Sequence, residues 1–133
     1  QIAQQGKALL QMSTPVTQIW EDILMLPMVG IIDSRRAQDV MTTVLSRIFE
    51  TRAKVFIMDI SGVAVVDSAV ANHLIKITKS TGLMGCTSLV SGISPAIAQT
   101  MVNLGFDVSE ISTSATLRDA LEKAFRLIGR NLS

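Results

Sequence analysis

Hydrophobic and polar positions change period several times along this chain, and each change marks an element. Val16 to Trp20 alternates and predicts a strand. Glu21-Asp22 turns it, and Ile23-Leu24-Met25-Leu26 runs on to Met28-Val29 as a second, fully apolar strand, so the pair forms a hairpin. Pro27 within that run points to an edge or a bulge. Asp33-Ser34 then opens an amphipathic helix whose apolar positions are Ala37, Val40, Met41, Val44, Leu45, Ile48 and Phe49. Arg35, Arg36, Arg47, Glu50 and Arg52 supply its polar side and ends.

The chain is organised around residues 55–71. Val55 to Met58 and Ile60 are apolar on both faces, as in a parallel strand covered on both sides. Asp59-Ile60-Ser61-Gly62 reads as a turn that breaks this strand. Asp67-Ser68 lies where an N-cap is expected, just before the helical pattern Val70, Leu74, Ile77, Thr81, which continues to about Leu83. Gly85-Cys86 leads into a short strand, Thr87 to Val90. Ser94-Pro95 is a strong helix start, with Ile97, Met101 and Leu104 as the inward stripe and Gly105 as the stop. A last strand is expected within Phe106 to Ile111. Ser114 is expected to cap a final helix that turns Leu117, Ala120, Leu121, Ala124, Phe125 and Ile128 inward and ends near Gly129. The order β-β-α-β-α-β-α-β-α predicts an α/β fold, with a mostly parallel sheet, right-handed crossovers and one antiparallel hairpin.

Length and composition set the outer limits. A chain of 133 residues is enough for one domain with a hydrophobic core, and with only 4% aromatic residues aliphatic side chains and Met must fill it. A net charge of +1 offers neither a nucleic-acid surface nor a polybasic membrane anchor. The longest apolar run is too short to span a bilayer, and no signal peptide is visible. The single Cys86 rules out an internal disulfide and fits a reducing cytoplasm. Because the first residue is Gln, a longer parent protein is expected. Ile2 and Leu9 lie seven apart in the Gln-rich start, which suits either the tail of a linker helix or a frayed end, and Thr14-Pro15 stops any helix there.

Catalytic chemistry is thin. His73, the only histidine, has no Cys, His or Glu arranged around it as metal ligands and reads as a surface or satisfied structural residue. Cys86 reads as a small buried hydrophobe. No Gly-rich phosphate loop is present, and Asp59 and Asp67 suit loop and cap roles better than a carboxylate pair. No cofactor or metal is implied. What remains is a repeated pattern: Asp33-Ser34 and Asp67-Ser68 each follow a short apolar run and precede an amphipathic helix. Parallel strands would bring both serines to one end of the sheet. Each is then either part of a plain N-cap or a phosphorylation site at a helix N-terminus.

From Val16 to about Ile128 the sequence resembles STAS domains, the fold of bacterial anti-sigma-factor antagonists, and most closely the RsbR type, a stressosome co-antagonist. The resemblance is carried by Gly30-Ile31-Ile32-Asp33-Ser34-Arg35-Arg36-Ala37, by Asp59 to Ala71, and by Gly92-Ile93-Ser94-Pro95-Ala96-Ile97-Ala98-Gln99-Thr100. It implies a STAS fold over residues 14–133, with residues 1–13 ending a linker helix from an N-terminal sensory domain. It also implies phosphorylation at Ser68 and Ser34, where the RsbR type can carry threonine, and a partner-binding face that includes Asp33, Asp67, Ser61, Gly62 and Ser94. The implied role is a non-enzymatic, cytoplasmic scaffold and phospho-switch that holds an RsbT-type serine/threonine kinase. Its implied partners are an RsbS-type STAS protein, a PP2C-like phosphatase and further copies of itself, as a homodimer within a large stressosome assembly, with no nucleic acid and no membrane. The alternative is the regulatory STAS domain of an anion transporter or of a nucleotide- or ligand-responsive sensor.

Overall fold

The computed structural model describes residues 16–63, 65–105 and 112–129. The expected linker helix at residues 1–13, the Thr14-Pro15 stop and the strand expected within Phe106 to Ile111 lie outside the described residues.

One sheet carries the fold. Its strands are β1 (Thr17–Trp20), β2 (Ile23–Gly30), β3 (Val55–Val63), β4 (Thr87–Ser91) and β5 (Ser112–Ser114), lying side by side in chain order. The β1–β2 hairpin is antiparallel and every later pairing is parallel. The crossovers are the helices α1 (Ser34–Thr51), α2 (Ser68–Leu83) and α3 (Pro95–Asn103), and α4 (Leu117–Leu127) follows β5. Asp22, at φ 67° in the hairpin turn, accepts through its carbonyl from the amides of Lys54 and Val55, at 2.8 and 3.0 Å, and so ties the turn to the start of β3.

Alternation along β3 explains why Val55 to Met58 and Ile60 are all apolar. Phe56, Met58 and Ile60 join Leu24, Leu26 and Met28 beneath α1 and α2. Val55 and Ile57 join Ile23 and Leu89 beneath Ala120 and Ala124 of α4. Phe56 is fully buried, a contribution of about 1.5–3 kcal/mol from that side chain alone. Trp20 extends the α4 layer to the sheet edge, meeting Phe125 edge to face at 5.4 Å between ring centres.

Several expectations are corrected. Asp59 to Gly62 is not a turn: β3 runs on to Val63, because β2 continues beside it, with Val29 opposite Gly62 and Gly30 opposite Val63. Pro27 marks a bulge, as the register shift between Pro27 and Val29 shows, but β2 is an inner strand. The proline is tolerated there because β1 pairs with β2 only as far as Met25. Ser114 lies buried in β5, and Thr116 caps α4 instead, its Oγ1 accepting from the Asp119 amide at 3.1 Å. Phe49 is 72% exposed, bordering an open hollow with Arg52, Lys54 and Met84 rather than entering the core. Leu104 is also exposed, since α3 ends before it, and Ile97 and Met101 are only half-buried.

Candidate functional site

β2, β3 and β4 run parallel, so the loops that leave them emerge at one end of the sheet. Those loops carry Asp33 and Ser34 after β2, Asp67 and Ser68 after β3 and Ser94 after β4, while Ser61 and Gly62 lie in the last residues of β3 itself.

The aspartates, not the serines, cap the helices. Asp33 Oδ1 accepts from the Arg36 amide at 2.8 Å, and Asp67 Oδ1 accepts from the Val70 amide at 2.9 Å. Both aspartates have extended backbones, and each serine is the first helical residue after its cap. A serine at that position does not need its hydroxyl to satisfy the helix end, because the carboxylate already does so. Both serines are exposed. Ser68 Oγ makes no hydrogen bond among the described residues, whereas Ser34 Oγ lies 3.3 Å from Nε2 of His73 on α2 and shares a hydrogen bond with it. Ser94 is a true cap, accepting from the Ile97 amide at 3.1 Å, with Pro95 at the first helical position.

Beneath the loops sits a polar cluster centred on Asp59. Asp59 lies opposite Ser91 in the β3–β4 register, and its two carboxylate oxygens accept from Ser91 Oγ at 2.8 Å and from Ser61 Oγ at 2.6 Å. Asp59 and Asp67 thus have separate structural tasks. Gly92 closes over the cluster at φ +80°, and a Cβ there would lie 2.6 Å from the Ser61 amide nitrogen. The Arg36 guanidinium braces the β2–α1 loop, donating through Nη1 to the carbonyls of Val29 and Ile31, the latter at 3.1 Å. At the same end of the sheet the last residues of β2 and the loops expose Val29, Ile31 and Val65, an apolar rim for a partner to cover.

Sequence reasoning did not place His73 or Ser91 in this site, and it met Arg36 and Gly92 only as members of the stretches that carry the family resemblance. His73, Ser91 and Gly92 meet neighbours distant in the chain, and Arg36 folds back on carbonyls five and seven residues before it, so none leaves a clear local signature. Cys86 is buried, and that burial pushes its thiol up to about 12. Among the described residues no group of three or more His, Cys, Asp or Glu side chains is arranged to hold a metal ion, and no helix is long and apolar enough to cross a membrane.

Residues 14–123 match the STAS domain family. RsbT co-antagonist protein RsbRA of Bacillus subtilis (strain 168) is 38% identical over 131 residues, an overlap of 98% of this chain and 48% of that relative. RsbT co-antagonist protein RsbRD of the same organism is 38% identical over 128 residues, covering 96% of this chain and 46% of the relative. The chain therefore spans about half the length of these curated relatives. Among solved structures, an RsbS variant from Moorella thermoacetica superposes with a TM-score of 0.75 at 26% identity, over 88% of this chain and 98% of that one. A chain from the stressosome, described as a signal integration and transduction hub, superposes with a TM-score of 0.69 at 28% identity, over 87% and 100%.

Proposed function

Because the chain belongs to the STAS domain family, we propose that it is a non-enzymatic scaffold and phospho-switch of a stressosome, holding an RsbT-type serine/threonine kinase and releasing it when phosphorylated. The observation that carries this reading is the division of labour at the two helix starts. Asp33 and Asp67 do the capping, which leaves two exposed serine hydroxyls, Ser34 and Ser68, at the same end of one sheet. The names of the relatives, RsbT co-antagonists, and the likeness to stressosome chains support the choice of partner.

The physics suits a switch. The kinase transfers the γ-phosphoryl group of ATP to the serine Oγ. The O–H bond breaks, a P–O bond forms, and ADP and a proton leave. The phosphoserine carries about −1.5 to −2 charges. At an exposed helix N-terminus the dipole favours that charge by about 0.3–1 kcal/mol, and the adjoining aspartate opposes it. The fold is thus little disturbed, but the charge now lies at the end of the sheet where Val29, Ile31 and Val65 are exposed. A partner seated on that apolar rim would have to desolvate a dianion, and it leaves. Asp33, Asp67, Ser61, Gly62 and Ser94 complete the partner-binding face.

A PP2C-like phosphatase resets the serines, and an RsbS-type STAS protein and a homodimeric partner complete the assembly. A buried, unpaired Cys86 supports a cytoplasmic setting.

The test is phosphopeptide mass spectrometry after incubation with ATP and the kinase encoded nearest this gene. Stoichiometric phosphate on Ser34 or Ser68, lost in the corresponding alanine variants, is the expected result. Phosphate on neither serine would overturn the reading and bring forward a transporter-associated or ligand-sensing STAS domain.

A further inference from the structure

The two serines are equivalent in sequence and unequal in structure. Ser34 alone has a partner from another helix, His73, 39 residues away and half-buried on α2. Ser68 begins that same helix. One imidazole therefore bridges the modified end of α1 to the helix that carries the second site. We propose that His73 is a positioning residue for Ser34, holding its hydroxyl before phosphorylation and pairing with the phosphoryl group afterwards, so that phosphorylation of Ser34 ties α1 to α2 while phosphorylation of Ser68 forms no such tie. This rests on Ser34 being a phosphorylation site.

The chemistry follows from the contact. A neutral imidazole offers one donor and one acceptor nitrogen, so it can meet a hydroxyl in either tautomer. A phosphoserine offers three acceptor oxygens and no donor apart from its own titrating proton, and an imidazolium offers only donors. The bond then becomes charge-assisted, roughly twice as strong as its neutral form. His73 changes from a partner of either polarity to a donor.

The test does not depend on any kinase. Phosphoserine is incorporated at position 34 of the full chain by codon suppression, and its ³¹P resonance is followed against pH with His73, with His73→Ala and with His73→Gln. An imidazolium favours the dianion, so the second ionisation should have its midpoint about half a unit or more below that of both variants, which should lie near the ordinary value of about 6. The charged groups nearest in the chain to Ser34 and His73 are Asp33, Arg35, Arg36, Asp39, Asp67, Lys76 and Lys79. They are common to all three proteins, so the difference reports the imidazole. His73→Gln keeps a neutral hydrogen-bonding group and guards against a loss of packing. With phosphoserine at position 68 instead, His73→Ala should leave the midpoint where it was. Equal midpoints at position 34 in all three proteins, or equal displacement at positions 34 and 68, would overturn the assignment. A kinase that ignores Ser34 would instead defeat the phospho-switch reading at that site and leave the titration result standing.

Discussion

Gly92 faces Ser61 so closely that a Cβ added to it would lie 2.6 Å from the Ser61 amide nitrogen and 2.8 Å from Asp59 Oδ1. This contact holds the β4–α3 loop against the end of β3 and shapes the floor of the serine-bearing face. Its φ of +80° adds a second penalty for any side chain. Gly92→Ala should lower stability by about 1–3 kcal/mol, read from the urea midpoint at unchanged slope. Gly85→Ala is the control. Gly85 also has a positive φ, +78°, but nothing lies within 4 Å of its added Cβ, so only the conformational cost of about 1–2 kcal/mol applies. Equal losses at the two positions would show that the Ser61 contact costs nothing.

The caps should separate from the serines in the same assay. Asp33→Ala and Asp67→Ala each remove the side-chain acceptor of a helix N-terminus and should cost about 1 kcal/mol. Ser68→Ala should stay within about 0.5 kcal/mol, since an exposed hydroxyl without a partner contributes little. Ser68→Asp should leave far-UV circular dichroism and melting nearly unchanged while weakening kinase binding in a pull-down or calorimetric titration. A large destabilisation by Ser68→Ala would make Ser68 a structural residue first.

Asp59 and Ser91 should be energetically coupled. Ser91 is fully buried and donates to Asp59 Oδ1 at 2.8 Å. Asp59→Ala strands that hydroxyl in the core and should cost about 1–3 kcal/mol, whereas the double variant with Ser91→Ala should recover part of the loss. Strict additivity in the double-mutant cycle would mean that the hydrogen bond carries no net energy.

Cys86 should be silent in the native protein. Burial raises its thiol to about 12, so almost no thiolate exists near pH 8. Labelling by iodoacetamide at pH 8 should be negligible until urea unfolds the chain. The linkage has a definite sign. The unfolded thiol ionises near its ordinary value of 9.0 while the folded one stays protonated, so the unfolded state binds fewer protons in that range. Stability from this group is full below about pH 9 and falls as pH rises towards about 12. Rapid native labelling at pH 8 would contradict the burial.

Periodicity determined most of this architecture. The apolar residues Val55 to Met58 and Ile60 named the central strand because a strand covered on both faces shows no polar alternation, and the structure divides their side chains between two layers. The 3.6-residue stripes of α1 and α4 survive in their buried residues, and the repeated Asp-Ser starts lie at one end of the sheet. These features rest on local spacing, which a single chain displays directly. Asp59 to Gly62 escaped for the opposite reason. Asp, Ser and Gly favour turns when considered alone, but β2 supplies backbone partners across its bulge and the hydroxyls of Ser61 and Ser91 occupy the carboxylate of Asp59. The final strand and its helix cap were likewise decided by pairing, with Ser112 to Ser114 in register against Leu89 to Ser91. Only the tertiary structure could show that Asp33 and Asp67 cap while Ser34 and Ser68 stay exposed, and that Ser34 meets His73. Adjacent Asp and Ser are both good capping residues, so composition cannot divide the task between them, and a contact across 39 residues exists only once two helices pack side by side.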